Sequence, residues 1–370
     1  MAERLRVLVL ITDHRWSASA LALGMAAQSL AVRGHVVAIG CVAGGPVARA
    51  IRERWPRLSV RDVRGDGWWR RASTVRDVVQ ALRPDAMLVG NDDDAAAAAL
   101  AMGSRGGVVH RIPLPPDLRP TVDGHADTDV KAQGWRHRTA LSRSHVVSWG
   151  PAVETVIWPA IAAENATDVE SDPPPRLPLA IPHVVLTVPP VHDSPTASAL
   201  RALGTLHERH PELRVTLVAE SVEPLVVPTI QDTRVHAAAV GLAHALDVLS
   251  LDQWMDGLGG AATACWIVDG GDAGAFAALA AMHRGIPVIV AAESPLASLV
   301  VPLATGLHAP AVLSDLARLI GDVSWHATMS RAAQLRARRH FSSEGMLNEL
   351  EARLARVASP NSRSSSTASV

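Results

Sequence analysis

The stretch DAGAFAALAAMHRGIPVIV, which runs from Asp272 to Val290, decides the fold of this chain. A short Ala-Gly-Ala turn opens an alanine-rich segment that reaches Arg284, and Gly285 separates this segment from an apolar run that follows Pro287. The pattern predicts a loop, a helix, a turn and a buried strand in that order. One such repeat is typical of an α/β fold with a parallel sheet.

The start of this predicted helix is a candidate anion site. The first amides of a helix have no acceptor within the helix, so the N–H groups of Gly274, Ala275 and Phe276 favour a diphosphate there, as does the helix dipole. Asp272, just ahead of them, has two interpretations: it caps the helix, or it binds the hydroxyl groups of a ligand. Capped helices before buried strands are common in α/β proteins, so the pattern alone favours a structural role.

Size and composition restrict the fold and the function. A chain of 370 residues exceeds the usual size of one hydrophobic core, which predicts two domains. Apolar residues make up 48% of the chain and the formal net charge is -1, so no strong field is available to hold nucleic acid. Cys41 and Cys265 lie far apart in apolar runs, which excludes a disulfide framework and favours a reducing environment.

The hydrophobic segments predict neither a membrane span nor a secretion signal. The first apolar run ends at Asp13 without a small-residue cleavage site, so it predicts a first β-strand. No run of about 18 uncharged apolar residues follows. We therefore expect a cytoplasmic protein, with peripheral contact at the inner face of the membrane as a further expectation.

Apolar runs of strand length alternate with helical segments through most of the chain. This alternation predicts an α/β protein with two Rossmann-like domains, whose parallel sheets face each other across a cleft. We expect an N-terminal domain over residues 1–160, a proline-rich linker over 161–182 and a C-terminal domain over 183–340. A C-terminal helix over 341–358 and a disordered tail over 359–370 complete the prediction.

Ligands of open parallel sheets bind beyond the carboxyl ends of the strands. This rule selects the residues that follow each predicted strand. In the first domain the candidates are Trp16, Ser17, Asn91, Asp92 and His110, and in the second domain they are Glu220, Asp269, Asp272, Gly274, Ala275 and Phe276.

The order of these features resembles the GT-B glycosyltransferases, in particular the large group with a Glu-x7-Glu motif followed by Ala-Met and Gly-x-Pro-Val. The first domain resembles their acceptor domain in LAVRGHVVAIG (Leu30 to Gly40) and ALRPDAMLV (Ala81 to Val89). The second resembles their donor domain in HPELRVTLVAE (His210 to Glu220), AAMHRGIPVIVA (Ala280 to Ala291) and ATGLHAP (Ala304 to Pro310). The resemblance implies retaining transfer of a sugar from a nucleotide-diphosphate sugar in the second domain to an acceptor in the first.

Several residues of the family's donor site are missing. Asp272 stands at the first acid of Glu-x7-Glu and Ala280 at the second, so the carboxylate that binds the ribose is absent. The family's arginine and lysine, which neutralise the diphosphate, have no counterpart between Thr187 and Pro195. Losing a cation costs several kcal/mol of transition-state stabilisation, roughly 10² to 10⁴ in rate. Three arginines near predicted strand or helix ends are candidate replacements: Arg15, Arg111 and Arg284.

Polar residues of the first domain have two interpretations each. His110 is a candidate base toward an acceptor hydroxyl, or the polar end of a strand. The run from Asn91 to Asp94 looks like an Asp-x-Asp metal motif, but capping of the following helix is the favoured interpretation. The resembled enzymes need no metal at the donor, so we expect no metal site.

Aromatic residues of the first domain are also ambiguous. Trp16 either stacks on an acceptor or packs over the sheet, and packing is favoured. Trp68 and Trp69, beside Arg70 and Arg71 on a predicted loop, form an aromatic and basic patch. The patch contacts a membrane surface that holds a lipid-linked acceptor, or it belongs to the core or to an oligomer interface.

The leading hypothesis is a glycosyltransferase with His110 and Asp272 as catalytic candidates, a nucleotide-sugar as co-substrate and no other cofactor. Its acceptor is a glycan, a lipid or a small molecule. The alternative is a catalytically inactive relative that serves a partner glycosyltransferase as a binding or regulatory subunit, as Ala280 and the missing cations suggest. A nicotinamide-dependent oxidoreductase is disfavoured because the loop after the first strand lacks G-x-G-x-x-G.

Overall fold

The computed structural model describes residues 4–64, 68–103, 107–111, 146–149, 181–189, 194–220, 227–258, 260–268, 270–309 and 312–358. Contacts within the chain divide it into two compact units. The described residues up to 149 and from 344 onward belong to the first unit, and those of 181–343 belong to the second. Most of the predicted linker and the predicted tail lie outside the described residues.

The first unit is built on a sheet of six parallel strands in the order β3-β2-β1-β4-β5-β6. This is the strand order of a Rossmann fold, in which the chain changes direction across the sheet between β1 and β4. The strands are β1 (Arg6–Ile11), β2 (Val36–Val42), β3 (Ser59–Val63), β4 (Ala86–Val89), β5 (Gly107–Arg111) and β6 (Val146–Trp149). The helices between them are α1 (Ala18–Val32), α2 (Pro46–Arg54), α3 (Trp68–Leu82) and α4 (Asp92–Met102).

The second unit repeats this topology. Its six parallel strands lie in the order β12-β11-β10-β7-β8-β9, so β7 takes the place of β1 and β10 that of β4. The strands are β7 (His183–Val188), β8 (Arg214–Ala219), β9 (Leu246–Ser250), β10 (Ala264–Ile267), β11 (Val288–Ala291) and β12 (Gly306–Ala309). The helices are α5 (Ser194–Arg209), α6 (Val227–Ala239), α7 (Leu251–Met255), α8 (Asp272–His283), α9 (Val312–Gly321) and α10 (Val323–His340), with a 3₁₀ helix at Pro295–Leu299. The last helix, α11 (Ser343–Ala358), belongs to the first unit from Glu344 onward.

Burial explains why apolar runs became strands. In β1 every residue from Val7 to Ile11 is at most 2% exposed, which is typical of a parallel strand covered on both faces. Helix α8 is buried from Gly274 to Met282, so its alanines let it lie close to the sheet. It stops at Arg284, and Gly285 follows with φ 69°, a conformation that favours glycine. The structure therefore confirms the loop, helix, turn and strand predicted for this stretch.

Helix α3 corrects one prediction. Trp68 and Trp69 were expected on a loop, but they are the first two residues of the helix. The buried positions Ala72, Val75 and Val79 share one helical face, as expected of a helix that packs on the sheet. None of the described helices is long and apolar enough to cross a bilayer.

The C-terminal helix packs on the first unit. Leu350, Leu354 and Val357 join the core that covers one face of the first sheet. Glu351 accepts a hydrogen bond from Arg33 at 2.7 Å. It accepts another, at 3.1 Å, from Nε2 of His35, whose Nδ1 accepts the Leu5 amide at 3.1 Å. The buried side chains are worth roughly 1.5–3 kcal/mol each, so α11 is an integral part of the first unit.

Candidate functional site

Each sheet has one place where the strand order reverses, and there the loops at the carboxyl ends diverge and leave a crevice. In the first unit this crevice lies between β1 and β4, beside Thr12 and Asn91. In the second unit it lies between β7 and β10, beside Pro189 and the start of α8. Because the two sheets have the same strand order, the two crevices can be compared position by position.

A buried carboxylate occupies the crevice of the first unit. Asp94 is 0% exposed and accepts two hydrogen bonds from Thr12 at the end of β1, one from the hydroxyl at 2.5 Å and one from the amide at 3.2 Å. Asn91 donates a third, from Nδ2 at 3.1 Å. Burial raises the pKa of Asp94, and the bonds from Thr12 oppose the rise. These bonds fasten the end of β1 to the start of α4.

Asp13 extends this network toward the surface. The Asn91 amide, which caps α4, is 3.4 Å from an Asp13 oxygen. Burial raises the pKa of Asp13, whereas the hydrogen bond from Asn91 and the charge of Arg71 lower it. The Arg71 guanidinium lies 3.9 Å from Asp94 and 3.8 Å from Asp93. Asn91 therefore has the capping role favoured for it, and it also orders two carboxylates.

His110 and Asp92 form a pair at the same edge of the sheet. His110 is 7% exposed near the end of β5, and its Nδ1 lies 3.7 Å from a carboxylate oxygen of Asp92. Burial lowers the pKa of His110, and the charge of Asp92 acts in the opposite direction. A neutral histidine beside a carboxylate has the chemistry of a base, which leaves its predicted catalytic role open to test.

Trp16 and Ser17 take up structural contacts. Ser17 caps α1 and its hydroxyl accepts the Ala20 amide at 3.2 Å. The Trp16 ring packs on Trp55, with ring centroids 6.3 Å apart, and both are half-buried against the core of the first unit. The packing interpretation of Trp16 is thus the one that its contacts favour.

The start of α8 forms the crevice of the second unit. Gly271 is the N-cap and makes no side-chain cap bond, so Asp272 is the first helical residue and the interpretation of Asp272 as the cap is wrong. Asp272 is 6% exposed. The Ala275 amide donates to the Gly271 carbonyl at 3.0 Å, so it is already used by the helix. The amides that have no acceptor inside the helix are therefore those before Ala275, and Gly274 is the last of them.

Ala275 and Phe276 are consequently corrected as donor-binding residues. The helix begins at Asp272, so the amides of its first three residues lie two positions earlier than the amide prediction placed them. Phe276 is 1% exposed and Ala275 0%, so both side chains belong to the core. Gly274 remains in the first turn, together with Ala273, which is half-buried.

The two crevices differ in the residue at the third position of the helix that borders each of them, α4 in the first unit and α8 in the second. In α4 this position is Asp94, and the first turn holds two more acids, Asp92 and Asp93. In α8 it is Gly274, and Asp272 is the one acid of the first turn. Three carboxylates offset the positive end of a helix dipole and repel an anion, whereas the glycine adds no charge at the matching position, which is buried in α8. The first turn of α8 therefore carries fewer acids than that of α4, which makes it the more favourable of the two for an anion.

The remaining candidates of the second unit lie around β7. Thr187 accepts the Val268 amide at 2.9 Å, which ties the loop after β10 to the central strand. Glu220 follows β8 and is half-buried. Because β8 and β10 are two strands apart in the sheet, Glu220 lies about 10 Å from the end of β10. Asp269 lies outside the described residues.

Arg284 does not replace the missing cation. It follows the last residue of α8, and 12 helical residues place it about 18 Å from the start of the helix. Its guanidinium donates to the carbonyls of Trp254 at 2.6 Å and Met255 at 2.8 Å and covers the Trp254 ring. Arg15 is exposed between β1 and α1, and Arg111 ends β5, so both belong to the first unit and not to the second.

Comparison with solved structures gives many matches over the whole chain. HepE from Anabaena, solved with UDP-glucose, has a TM-score of 0.67 and 15% identity, with 95% of this chain and 100% of HepE covered. A glycosyltransferase from Rickettsia africae has a TM-score of 0.66 and 11% identity, with 96% and 99% covered. The chain has the GT-B fold.

Sequence comparisons add nothing to this assignment, because no protein-family model and no curated protein matches the chain. The same fold also occurs in a candidate UDP-N-acetylglucosamine 2-epimerase from Listeria monocytogenes, with a TM-score of 0.57, 13% identity and 96% of each chain covered. A GT-B fold therefore does not by itself fix the reaction. In the part of the chain that the structure describes, no group of three metal-ligating side chains comes together.

Proposed function

We propose that the chain is a glycosyltransferase that binds a nucleotide-diphosphate sugar at the start of α8 and an acceptor at the carboxyl edge of the first sheet. The observation that carries this proposal is the contrast between Asp94 and Gly274 at matching positions of the two units. One crevice holds the chain's own carboxylate at this position, and the other has a glycine there. The difference in charge then determines which of the two substrates binds to each unit.

At the donor crevice, the amides of Ala273 and Gly274 bind the diphosphate, and the dipole of α8 offsets part of its charge. Asp272, at the first position of the helix, accepts hydrogen bonds from hydroxyls of the transferred sugar. No arginine replaces the family's cations from the end of α8, so we expect slower departure of the nucleoside diphosphate than in enzymes that keep them.

At the acceptor crevice, His110 receives the proton of the attacking hydroxyl. Its lowered pKa keeps it neutral near pH 7, and Asp92 stabilises the charge that it acquires. The new glycosidic bond forms at the anomeric carbon as the bond to the diphosphate breaks, and the nucleoside diphosphate leaves. The resemblance to the Glu-x7-Glu group implies retention of the anomeric configuration, which requires the hydroxyl to attack from the face that the diphosphate leaves; attack from the opposite face gives inversion.

Thermal unfolding with UDP-, GDP- and ADP-sugars tests the donor half of the proposal, and release of nucleoside diphosphate tests the reaction. We expect one nucleotide-sugar to raise the melting temperature. We also expect Asp272→Asn to lower turnover far more than it lowers nucleotide affinity, because Asp272 contacts the sugar and not the diphosphate. No stabilisation by any of these donors at millimolar concentration would reject the proposal.

One observation favours a second candidate, an inactive relative that supports a partner glycosyltransferase. Ala280, where the family has its ribose-binding acid, is 3% exposed inside α8, so a nearby side chain cannot simply take its place. This candidate predicts that the purified chain binds a nucleotide-sugar without releasing nucleoside diphosphate. Turnover that disappears in Asp272→Asn would eliminate it. The anomeric configuration of the product, read by NMR, distinguishes retention from inversion.

A further inference from the structure

The first turn of α3 presents a surface that the proposed reaction does not use. Trp69 is 76% exposed, which is unusual for the largest apolar side chain, and Arg64 and Arg70 beside it are exposed. The Thr74 hydroxyl donates to the carbonyls of Arg64 at 3.1 Å and Arg70 at 3.0 Å. One side chain therefore holds the two arginine backbones together. We call Arg64, Trp69 and Arg70 the α3 patch.

Positive charge extends beyond the patch. Arg61 on β3 and Arg76 further along α3 are also exposed. Among the described acids nearby, Asp62 pairs with Arg52 at 3.3 Å, and Asp77 lies two turns from Trp69. Asp66, between Arg64 and Trp69 in the sequence, lies outside the described residues, and the four exposed arginines outnumber these three acids. The surface around Trp69 therefore attracts anions, although the whole chain carries a formal net charge of only -1.

The small apolar area of the α3 patch indicates what kind of partner binds it. Val32, Val36 and Leu100, the other exposed large apolar residues described in the first unit, lie at the ends of α1 and α4 and at the start of β2. Those positions belong to the opposite, amino-terminal edge of the sheet. A stable protein interface needs about 800 Å² from each partner with an apolar centre, which one tryptophan cannot supply. One tryptophan among arginines suits the boundary between lipid headgroups and acyl chains.

We propose that the α3 patch docks the first unit on an anionic lipid surface, with Trp69 inserted among the headgroups and Arg64 and Arg70 on their phosphates. Arg71 places this surface beside the acceptor crevice. It is two residues from Trp69, about 200° around the helix, and its guanidinium points inward to Asp93 and Asp94. The patch and the crevice thus lie on opposite sides of the first turn of α3, both at the carboxyl edge of the first sheet, so docking brings that edge of the first unit near the lipid surface.

Co-sedimentation of the full chain with vesicles tests this proposal without any sugar substrate, so it is independent of the proposed function. We expect binding to vesicles of phosphatidylglycerol and phosphatidylcholine, little binding to phosphatidylcholine alone, and loss of binding as salt is raised. Trp69→Ser should weaken binding by at least about tenfold. Arg64→Gln with Arg70→Gln should weaken it about 25-fold, since each arginine contributes about fivefold.

Matched controls come from the opposite edge of the same sheet. Leu100→Ser removes a half-exposed apolar residue, and Arg57→Gln with Arg83→Gln removes two exposed arginines, so both should bind as the wild type does. The proposal is overturned if the wild type binds neither vesicle, or if the patch variants bind as well as the controls. It is also overturned if Trp69→Ser turns a dimer into a monomer in light scattering, which would make the patch a subunit interface.

Discussion

Placing an acid at the third position of α8 should abolish donor binding. Gly274→Asp gives the second crevice the residue that the first crevice has at Asp94. If a diphosphate binds the first-turn amides, the new carboxylate lies about 5 Å from a phosphate. At an effective dielectric constant of about 20, two unit charges at that distance repel by about 3 kcal/mol. This corresponds to slightly more than a hundredfold in the dissociation constant.

Gly274→Asn is the matched control for this change. Asparagine has the shape of aspartate without its charge, so both variants share any steric effect in a buried position. Calorimetric titration with the donor identified by thermal unfolding should show about a hundredfold weaker binding for Gly274→Asp than for Gly274→Asn. The difference should shrink as salt is raised.

Stability without ligand separates repulsion of the ligand from damage to the fold. An acid in the first turn of a helix gains about 0.3–1 kcal/mol from the dipole, which offsets part of the cost of burying its charge, so Gly274→Asp should melt close to Gly274→Asn. Equal loss of affinity in both variants would show that bulk rather than charge blocks the crevice. Wild-type affinity in Gly274→Asp would refute binding of the diphosphate at α8.

Three further predictions concern the first unit. Thr12→Val and Asp94→Asn should each lower the free energy of unfolding by about 1–3 kcal/mol, and the double variant should lose about 1 kcal/mol less than the sum of the two. Thr187→Val, the same change in the second unit, is the control: its effect should simply add to that of Asp94→Asn. Burial lowers the pKa of His110 below its ordinary 6.5, so the unfolded chain takes up that proton first as pH falls, and stability is lost below 6.5 and unchanged above it. In urea titrations at several pH values His110→Asn should lose less stability than the wild type below 6.5, and the exposed His14→Asn should follow the wild type; identical curves for all three would contradict this. Leu354→Ala, which opens a cavity between α11 and the first unit, should cost about 2–5 kcal/mol, while Leu100→Ala on the surface should change stability by less than about 0.5 kcal/mol.

The sequence predicted both sheets because parallel strands buried on two faces are continuous apolar runs, as Val7 to Ile11 illustrates. It did not predict β12, whose four residues, Gly306–Ala309, are few and include a histidine. Nor did it predict β9, where Asp247 interrupts the apolar run. Short edge strands carry too little periodicity to be distinguished from loops.

The candidate site was predictable only in part. Residues at strand ends follow from the strand pattern, so Asn91, Asp92, His110 and Asp272 could be selected. The bond between Thr12 and Asp94 joins residues 82 positions apart, and only the order of the strands brings them together. The error at Ala275 has a similar origin, because a helix that begins on glycine leaves no polar cap in the sequence to mark its first turn.

A crystal structure of the chain with UDP-glucose tests the central claim most directly. We predict pyrophosphate oxygens within hydrogen-bonding distance of the Ala273 and Gly274 amides, and a sugar hydroxyl on the Asp272 carboxylate. A nucleotide bound beside Asp94 in the first unit, or one bound in the second unit away from α8, would contradict the assignment of the donor crevice.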